Sequence, residues 1–547
     1  MSDNNVFEVH DLQVWTASDN APARHIVKDV SFNLQRGQCL ALVGESGSGK
    51  SVTARALVGV AGDKLRVEAG TLKLQQEDLR GRSDRWWRKI RGKKVGFILQ
   101  DALVSLDPLR PVGKEIGEAL ALHGWGTAAS RQEKVYALLE EVGVPEAAYR
   151  AGQRPDELSG GLRQRALIAS AIALHPDVLI ADEPTTALDV TVQAQVLDVL
   201  RQMLDRGTSI ILISHDLAVV AKIADQILVM QGGSIVEAGI AQEVLERPRH
   251  AYTRGLIDAI PSEHTKGQRL SHAPAVRITE PLRVSVPDDE VLLEASHIIK
   301  RFRGRTALAD ISFTLRRGET LGIVGESGSG KTTLSRIALA LESADSGEVR
   351  FRGQPWSQAS AAKQREIRRQ IAVVYQDPLS SFDPRWRVED ILLDAIALDR
   401  QPLNQTPRER AISLLESVGL GAEHLHQWPA RMSGGQRQRV AIARAIAAHP
   451  QIIVLDEAVS ALDVTIQAQI LDLLTELQTQ LGVSSLFISH DLGVIHHMSD
   501  RVLVMQNGLA VEQGSADAIF NHPQHPYTRK LLASLPRLGV AEPACKG

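Results

Sequence analysis

Cysteine is nearly absent from this chain: Cys39 and Cys545 are the only two in 547 residues, and they lie far apart. That spacing excludes a disulfide framework and a CxxC-type metal site. Long apolar runs are missing as well. A membrane-spanning helix needs about 20 predominantly apolar residues, and the stretch 218–230 is broken by Lys222 and Asp225. The opening MSDNNVFEVHD has neither a basic segment nor an apolar core, so no secretory signal is expected and the chain reads as a soluble, cytoplasmic one. Bulk charge is lacking too: a net charge of −3 gives no general attraction to nucleic acid or to anionic membrane. What remains, 44% hydrophobic and 23% charged, is an ordinary globular composition. The length points to two or more domains.

The most informative feature present is a repeat. GESGSGK occurs at residues 44–50 and again at 325–331, and three later motifs recur in the same order. LSGGLRQR returns as MSGGQRQR, LIADE as IVLDE, and ISHD as ISHD, each displaced by a nearly constant interval. A constant displacement over several motifs means a duplicated domain. The expected organisation is a first domain over 1–261, a linker over 262–290 and a second domain over 291–547. The linker assignment rests on a run rich in Ser, His, Lys, Pro and Arg without apolar periodicity. Within each half a β-rich start (7–14; 291–299) leads to a strand (39–43; 321–324), the Gly-rich loop and a helix. A mostly helical insert follows (112–149; 388–428). After it come a helix opening at SGG and two apolar strands (177–181 and 209–213; 451–455 and 484–488). Short apolar strands alternating with helices predict an α/β fold built on a mainly parallel sheet covered on both faces.

Both Gly-rich loops match G-x-x-x-x-G-K-[ST], the phosphate-binding pattern. Glycines let backbone N–H groups converge on phosphate oxygens, and the following helix adds its positive N-terminal dipole. The expected phosphate contacts are Gly44, Ser46, Gly47, Gly49, Lys50, Ser51 and Val52 in the first half. Gly325, Ser327, Gly328, Gly330, Lys331, Thr332 and Thr333 are expected to repeat them in the second. Lys50 and Lys331 suit the β/γ-phosphates, and the Ser51 and Thr332 hydroxyls suit Mg²⁺. Asp182 and Asp456 end apolar strands beside the loops, where they suit a Mg²⁺ contact. Glu183 and Glu457 follow them and suit the general base that polarises water.

LSGGLRQR and MSGGQRQR resemble the signature of the ABC-transporter ATPases, and the resemblance covers essentially all of both halves. It implies two tandem P-loop ABC ATPase domains, each with an antiparallel β subdomain and a helical subdomain. It extends to a Q-loop glutamine (Gln100; Gln376) that contacts Mg²⁺ and the membrane subunit, to a D-loop ending in Asp189 or Asp463, and to switch histidines His215 and His490. In this family two domains pair head to tail, so each ATP lies between one phosphate loop and the other domain's signature. One site would join Lys50, Asp182, Glu183 and His215 to Ser433, Gly434 and Gly435. The other would join Lys331, Asp456, Glu457 and His490 to Ser159, Gly160 and Gly161. The family stacks adenine on an upstream aromatic: Phe302 fits that position, and Trp15 is the counterpart, with an insertion blurring its alignment. Both halves keep every catalytic residue, which implies two hydrolysing sites and a monomer that pairs its own halves.

Outside the catalytic core, GESGSGKSVT, the SLDP after the first Q-loop, ADEPTTALDVTVQAQVL and the tags HAYTR and HPYTR resemble the peptide/nickel importer ATPases. That group implies two transmembrane permease subunits, an extracytoplasmic solute-binding protein and attachment at the cytoplasmic face of the inner membrane. Peptides, glutathione, nickel or a metal–metallophore complex all remain open as solutes. Some members carry a cysteine cluster after the first tag; here residues 260–270 have none, so no iron–sulfur cluster is expected. The competing reading is a soluble tandem ABC translation factor on ribosomes, but those have a long charged linker and lack switch histidines. A basic run at 85–94 has a counterpart at 363–369, which fits a solvated edge better than a nucleic-acid surface.

Overall fold

The computed structural model describes residues 4–16, 23–62, 64–99, 105–186, 188–262, 265–273, 290–302, 304–399, 405–460 and 462–533. They fall into two compact units, one running to Ile257 and the other starting at Asp258. Each unit repeats the same plan.

In the first unit a six-stranded sheet has the spatial order Ser234–Ile240, Gln226–Gln231, Cys39–Val43, Ser209–Ile213, Val178–Asp182, Val95–Ile98. Neighbours pair in parallel except the antiparallel hairpin at one edge. Cys39–Val43, Val178–Asp182 and Ser209–Ile213 are buried at every position, as expected of parallel strands covered on both faces. A second, antiparallel sheet pairs Asn5–Thr16 with His25–Gln35, Leu65–Glu68 and Thr71–Leu74. Phe7, Leu12, Leu40, Leu42 and Leu57 belong to one apolar core that joins these two sheets to the helix Lys50–Leu57. Helices Val112–Leu122 and Ala128–Glu141 form the insert.

The second unit has the order Ile371–Tyr375, Ile452–Asp456, Ser484–Ile488, Thr320–Val324, Arg501–Gln506, Leu509–Ser515, with an antiparallel sheet built on Val291–Phe302 and Arg305–Arg316. Its insert is Val388–Ile396 and Pro407–Glu416. The expected strands at 177–181 and 451–455 each run one residue further, so Asp182 and Asp456 are the last ladder residues, opposite Ile213 and Ile488.

The polar stretch after the first unit does not hang free over its described part. Buried Asp472, on the helix Val464–Leu481, accepts the N–H groups of Leu270 and Ser271, both at 2.9 Å. Arg269 pairs with Glu476 on the same helix, and Thr265 Oγ1 lies 3.2 Å from His497 Nδ1. Residues 274–289 of the expected linker lie outside the described residues.

Trp356 is fully buried in the second core and donates its indole N–H to the Ala338 carbonyl at 2.8 Å, the C-terminal end of the phosphate-loop helix. Trp356→Ala deletes that volume and orphans the carbonyl, and should cost about 3–5 kcal/mol. Urea unfolding followed by a second-unit probe checks this; a loss below about 1 kcal/mol would mean that the site collapses freely.

Candidate functional site

In each unit the phosphate loop lies between the central strand and its helix. Strand Cys39–Val43 ends, the loop turns through Gly44, and Gly49 at φ 105° starts the helix Lys50–Leu57. Gly44 has φ 146°, and a Cβ there would come within 2.2 Å of the Met230 carbonyl oxygen, so only glycine fits under the hairpin at the sheet edge. Gly325 meets Met505 in the same way, also at 2.2 Å. Lys50 turns its ammonium back into the loop, donating to the carbonyls of Gly44 at 2.6 Å and Glu45 at 2.8 Å. Lys331 donates to Gly325 at 2.7 Å and Glu326 at 2.9 Å. Ser46, Gly47, Val52, Ser327, Gly328 and Thr333 lie in the same two loop-and-helix segments.

Across the loop stands the acidic strand end. Asp182 is fully buried, and Ser51 Oγ donates to its Oδ1 at 2.9 Å. Its other oxygen, Oδ2, is buried with no hydrogen-bond partner. Burial raises the Asp182 pKa, the Ser51 hydrogen bond only partly offsets that, and the Glu183 charge adds to it. Asp456 is raised by burial and by Glu457, against the pull of Lys331. A buried carboxylate with an unpartnered oxygen beside a hydroxyl fits a hard divalent cation such as Mg²⁺. Among the described residues no three or more His, Cys, Asp or Glu side chains gather into a group that could hold a metal ion.

Glu183 and Glu457 adopt left-handed backbone conformations, φ 50° and 51°, unusual for a residue with a Cβ. Backbone bonds from Glu183 N–H to Ile213 and from Glu457 N–H to Ile488, both 2.9 Å, hold them there. His215 Nδ1 lies 3.2 Å from Glu183 Oε1, and His490 Nδ1 lies 3.6 Å from Glu457 Oε1. Burial alone would raise Glu183, but the His215 hydrogen bond and charge, with Thr186, hold the carboxyl below its ordinary value. At Glu457 the contact with His490 leads and outweighs burial. Burial opposes charge on both histidines, yet their glutamate partners raise them above the ordinary value.

The signature serines are N-caps. Ser159 Oγ accepts Leu162 N–H at 3.4 Å, and Ser433 Oγ accepts Gln436 N–H at 3.3 Å. Gly161 and Gly435 are contact glycines: a Cβ would fall 2.9 Å from Val192 and 2.5 Å from Ile466, on the helix that follows. Gly160 faces open space and Gly434 nearly so, leaving each helix N-terminus approachable. Ala458 and Val459, which replace Pro184 and Thr185, are buried packing residues.

In the second unit an open cleft of about 550 Å³ is lined by Phe302, Gly328, Lys331, Thr332 and Glu457, so these expected residues share one space. Phe302 is exposed, with Lys300 Nζ 5.1 Å from its ring centre. Trp15 stacks on His25 with ring centres 4.6 Å apart. Strand register sets Trp15 opposite His25 where the second unit sets Arg301 opposite Thr306, so Trp15 and Phe302 are not at matching positions. Gln376 is exposed and donates to Ser460 Oγ at 3.3 Å. Gln100, with Ala187 and Ala461 of the D-loops, lies outside the described residues.

The Glu183–His215 pair has a defined pH window. The raised His215 pKa gives stabilisation that is complete below the ordinary histidine value and lost as pH rises through the raised one. The lowered Glu183 pKa gives stabilisation present above the ordinary carboxylate value and lost as pH falls through the lowered one. His215→Ala should therefore depress the melting temperature most near about pH 6 and little at about pH 9. Melting curves across that range check it, and a pH-independent difference would contradict the pairing.

A model of the ABC transporter family matches residues 27–186 and 308–460. A model described as the oligopeptide/dipeptide transporter C-terminal region matches residues 236–282 and 511–546. The glutathione import ATP-binding proteins GsiA of Shigella dysenteriae serotype 1 (strain Sd197) and of Escherichia coli (strain K12) are each 41% identical to this chain, over 99% of it and 90% of their own length. Among solved structures, an archaeal ribosome recycling factor in complex with the archaeal ribosomal stalk protein aligns with TM-score 0.59 over 91% of this chain and 88% of that one. At 20% identity, that likeness concerns the fold alone.

Proposed function

Because this chain belongs to the ABC transporter family, in the group that carries the oligopeptide/dipeptide C-terminal region, we propose that it powers an importer for peptides or related small solutes, glutathione being the first to test. It is an ATPase coupled to transport. The observation that carries the proposal is an acid ending the strand beside each phosphate loop, buried and bonded to Ser51 in the first unit and part-buried in the second, with a glutamate facing a histidine next to it in both.

Each residue has a task that follows from its chemistry. The loop glycines and the helix N-terminus receive phosphate oxygens, and Lys50 or Lys331 exchanges backbone carbonyls for phosphate. Ser51 with Asp182, and Thr332 with Asp456, hold Mg²⁺, which supplies charge neutralisation at the phosphates. Glu183 and Glu457, ionised at neutral pH, accept a hydrogen bond or proton from the attacking water, while His215 and His490 fix their orientation. Phe302 offers its exposed ring to adenine. The signature serines and glycines, Ser159–Gly161 and Ser433–Gly435, serve the opposite half's nucleotide in a head-to-tail pair within one monomer.

Among the described residues no helix is long and apolar enough to cross a membrane. Membership of the importer group supports the rest of the reading: two transmembrane permease subunits, an extracytoplasmic solute-binding protein, and this chain peripheral at the cytoplasmic face of the inner membrane. ATP closes the halves because its γ-phosphate makes contacts available only in the closed state.

Glu183→Gln and Glu457→Gln should each slow ATP hydrolysis while sparing ATP binding, and the double variant should fall by about 100-fold or more. Steady-state phosphate release and nucleotide binding check this. A single variant that hydrolyses at the wild-type rate would remove that site from the account.

A further inference from the structure

Tyr252 and Tyr527 take no part in the chemistry above, yet each reaches a phosphate loop more than two hundred residues away in sequence. Tyr252 lies on the helix Ala251–Asp258, and its phenolic oxygen accepts the Glu45 N–H at 3.0 Å. Tyr527, on the helix Pro526–Ala533, accepts the Glu326 N–H at 3.1 Å. The tags are built to aim them. Glu237 accepts the N–H groups of Arg249 and His250 at 2.8 and 3.1 Å, and His250 Nδ1 accepts the Tyr252 N–H at 3.2 Å. Glu512 does the same for Gln524 and His525 at 2.7 and 3.0 Å, and His525 Nδ1 accepts the Tyr527 N–H at 3.2 Å.

The peptide unit joining Gly44 to Glu45 is consequently bound at both ends. Its N–H goes to Tyr252, and its carbonyl receives the Lys50 ammonium at 2.6 Å. The Gly325–Glu326 peptide is held identically by Tyr527 and Lys331. A glycine-flanked peptide plane turns at low cost, so without the phenolic oxygen it loses one of its holds and turns more readily, taking the lysine's resting acceptor with it.

We propose that Tyr252 and Tyr527 are positioning residues for the ATPase reaction, each fixing the peptide on which the phosphate-loop lysine rests, so that the C-terminal tags set the affinity for ATP. The loop is then ordered before nucleotide arrives, and less ordering is left for binding to bring about. This rests on the two loops being the ATP sites.

Tyr252→Phe with Tyr527→Phe in the full-length chain keeps both rings and removes only the phenolic oxygens. KM for ATP should rise about fivefold, the worth of roughly one neutral hydrogen bond, while kcat stays within about twofold. The melting temperature without nucleotide should stay within about 2 °C of wild type. An unchanged KM overturns the proposal. So does a rise in KM matched by an equal loss of nucleotide-free stability, which is what a merely structural tyrosine gives. Lys50→Ala with Lys331→Ala tests the underlying site assignment separately, by equilibrium dialysis of ATP. Binding lost there, together with an unchanged KM in the tyrosine variant, defeats this inference alone; binding retained there defeats the site assignment.

Discussion

Asp182 is a carboxylate taken wholly out of water with one oxygen lacking a donor, and the surroundings are arranged around that cost. A strand buried along its whole length delivers it to the loop, and the Ser51 hydroxyl meets only one of its oxygens. The chain leaves the strand immediately afterwards through Glu183 in a left-handed conformation, a turn that needs the Ile213 carbonyl and the His215 side chain to hold it. Burial, the paired histidine and the lysine folded back on its own loop gather Asp182, Glu183, His215 and Lys50 in a small space. Such a site is tuned for a ligand that brings both negative phosphate and a positive ion.

The duplication preserves this arrangement with small departures that are themselves informative. Lys331, Glu457 and His490 repeat the first unit's geometry, with the histidine slightly further from its glutamate. The hairpin at the sheet edge recurs too, and in each unit it presses a methionine carbonyl against the first loop glycine while carrying the glutamate that seats the tag. Sheet edge, phosphate loop and tag are thus mechanically continuous. In the second unit Asp472 receives the described stretch around Leu270 and Ser271.

Parallel strands were legible because they are short, almost wholly apolar runs; CLALV and SIILI need no alternation when both faces are covered. Their ends were legible to one residue: Asp182 and Asp456, read as closing the apolar strands, complete the ladder. The hairpin strands Gln226–Gln231 and Ser234–Ile240 escaped notice, the first merging with the helix before it and the second half-exposed without a clear period. The insertion after Trp15 blurred its alignment in the sequence; strand register matches Trp15 with Arg301, one residue before Phe302. The polar composition after residue 262 read as a linker; the described part of that stretch meets Asp472, Glu476 and His497. The tyrosine bonds to the loops had no local signal at all. The head-to-tail pairing proposed for the halves rests on the family resemblance alone.

That pairing is the central claim, and hydrolysis at one isolated site tests it most directly. Ser433→Arg combined with Glu457→Gln leaves only the Lys50 site able to react while blocking the signature that should complete it. Ser433→Arg combined with Glu183→Gln leaves the Lys331 site, which should use Ser159 instead. ATPase rates should rank the first variant nearly inactive and the second close to Glu183→Gln alone. The reverse ranking would mean that each signature serves its own half, and the composite-site account would be wrong.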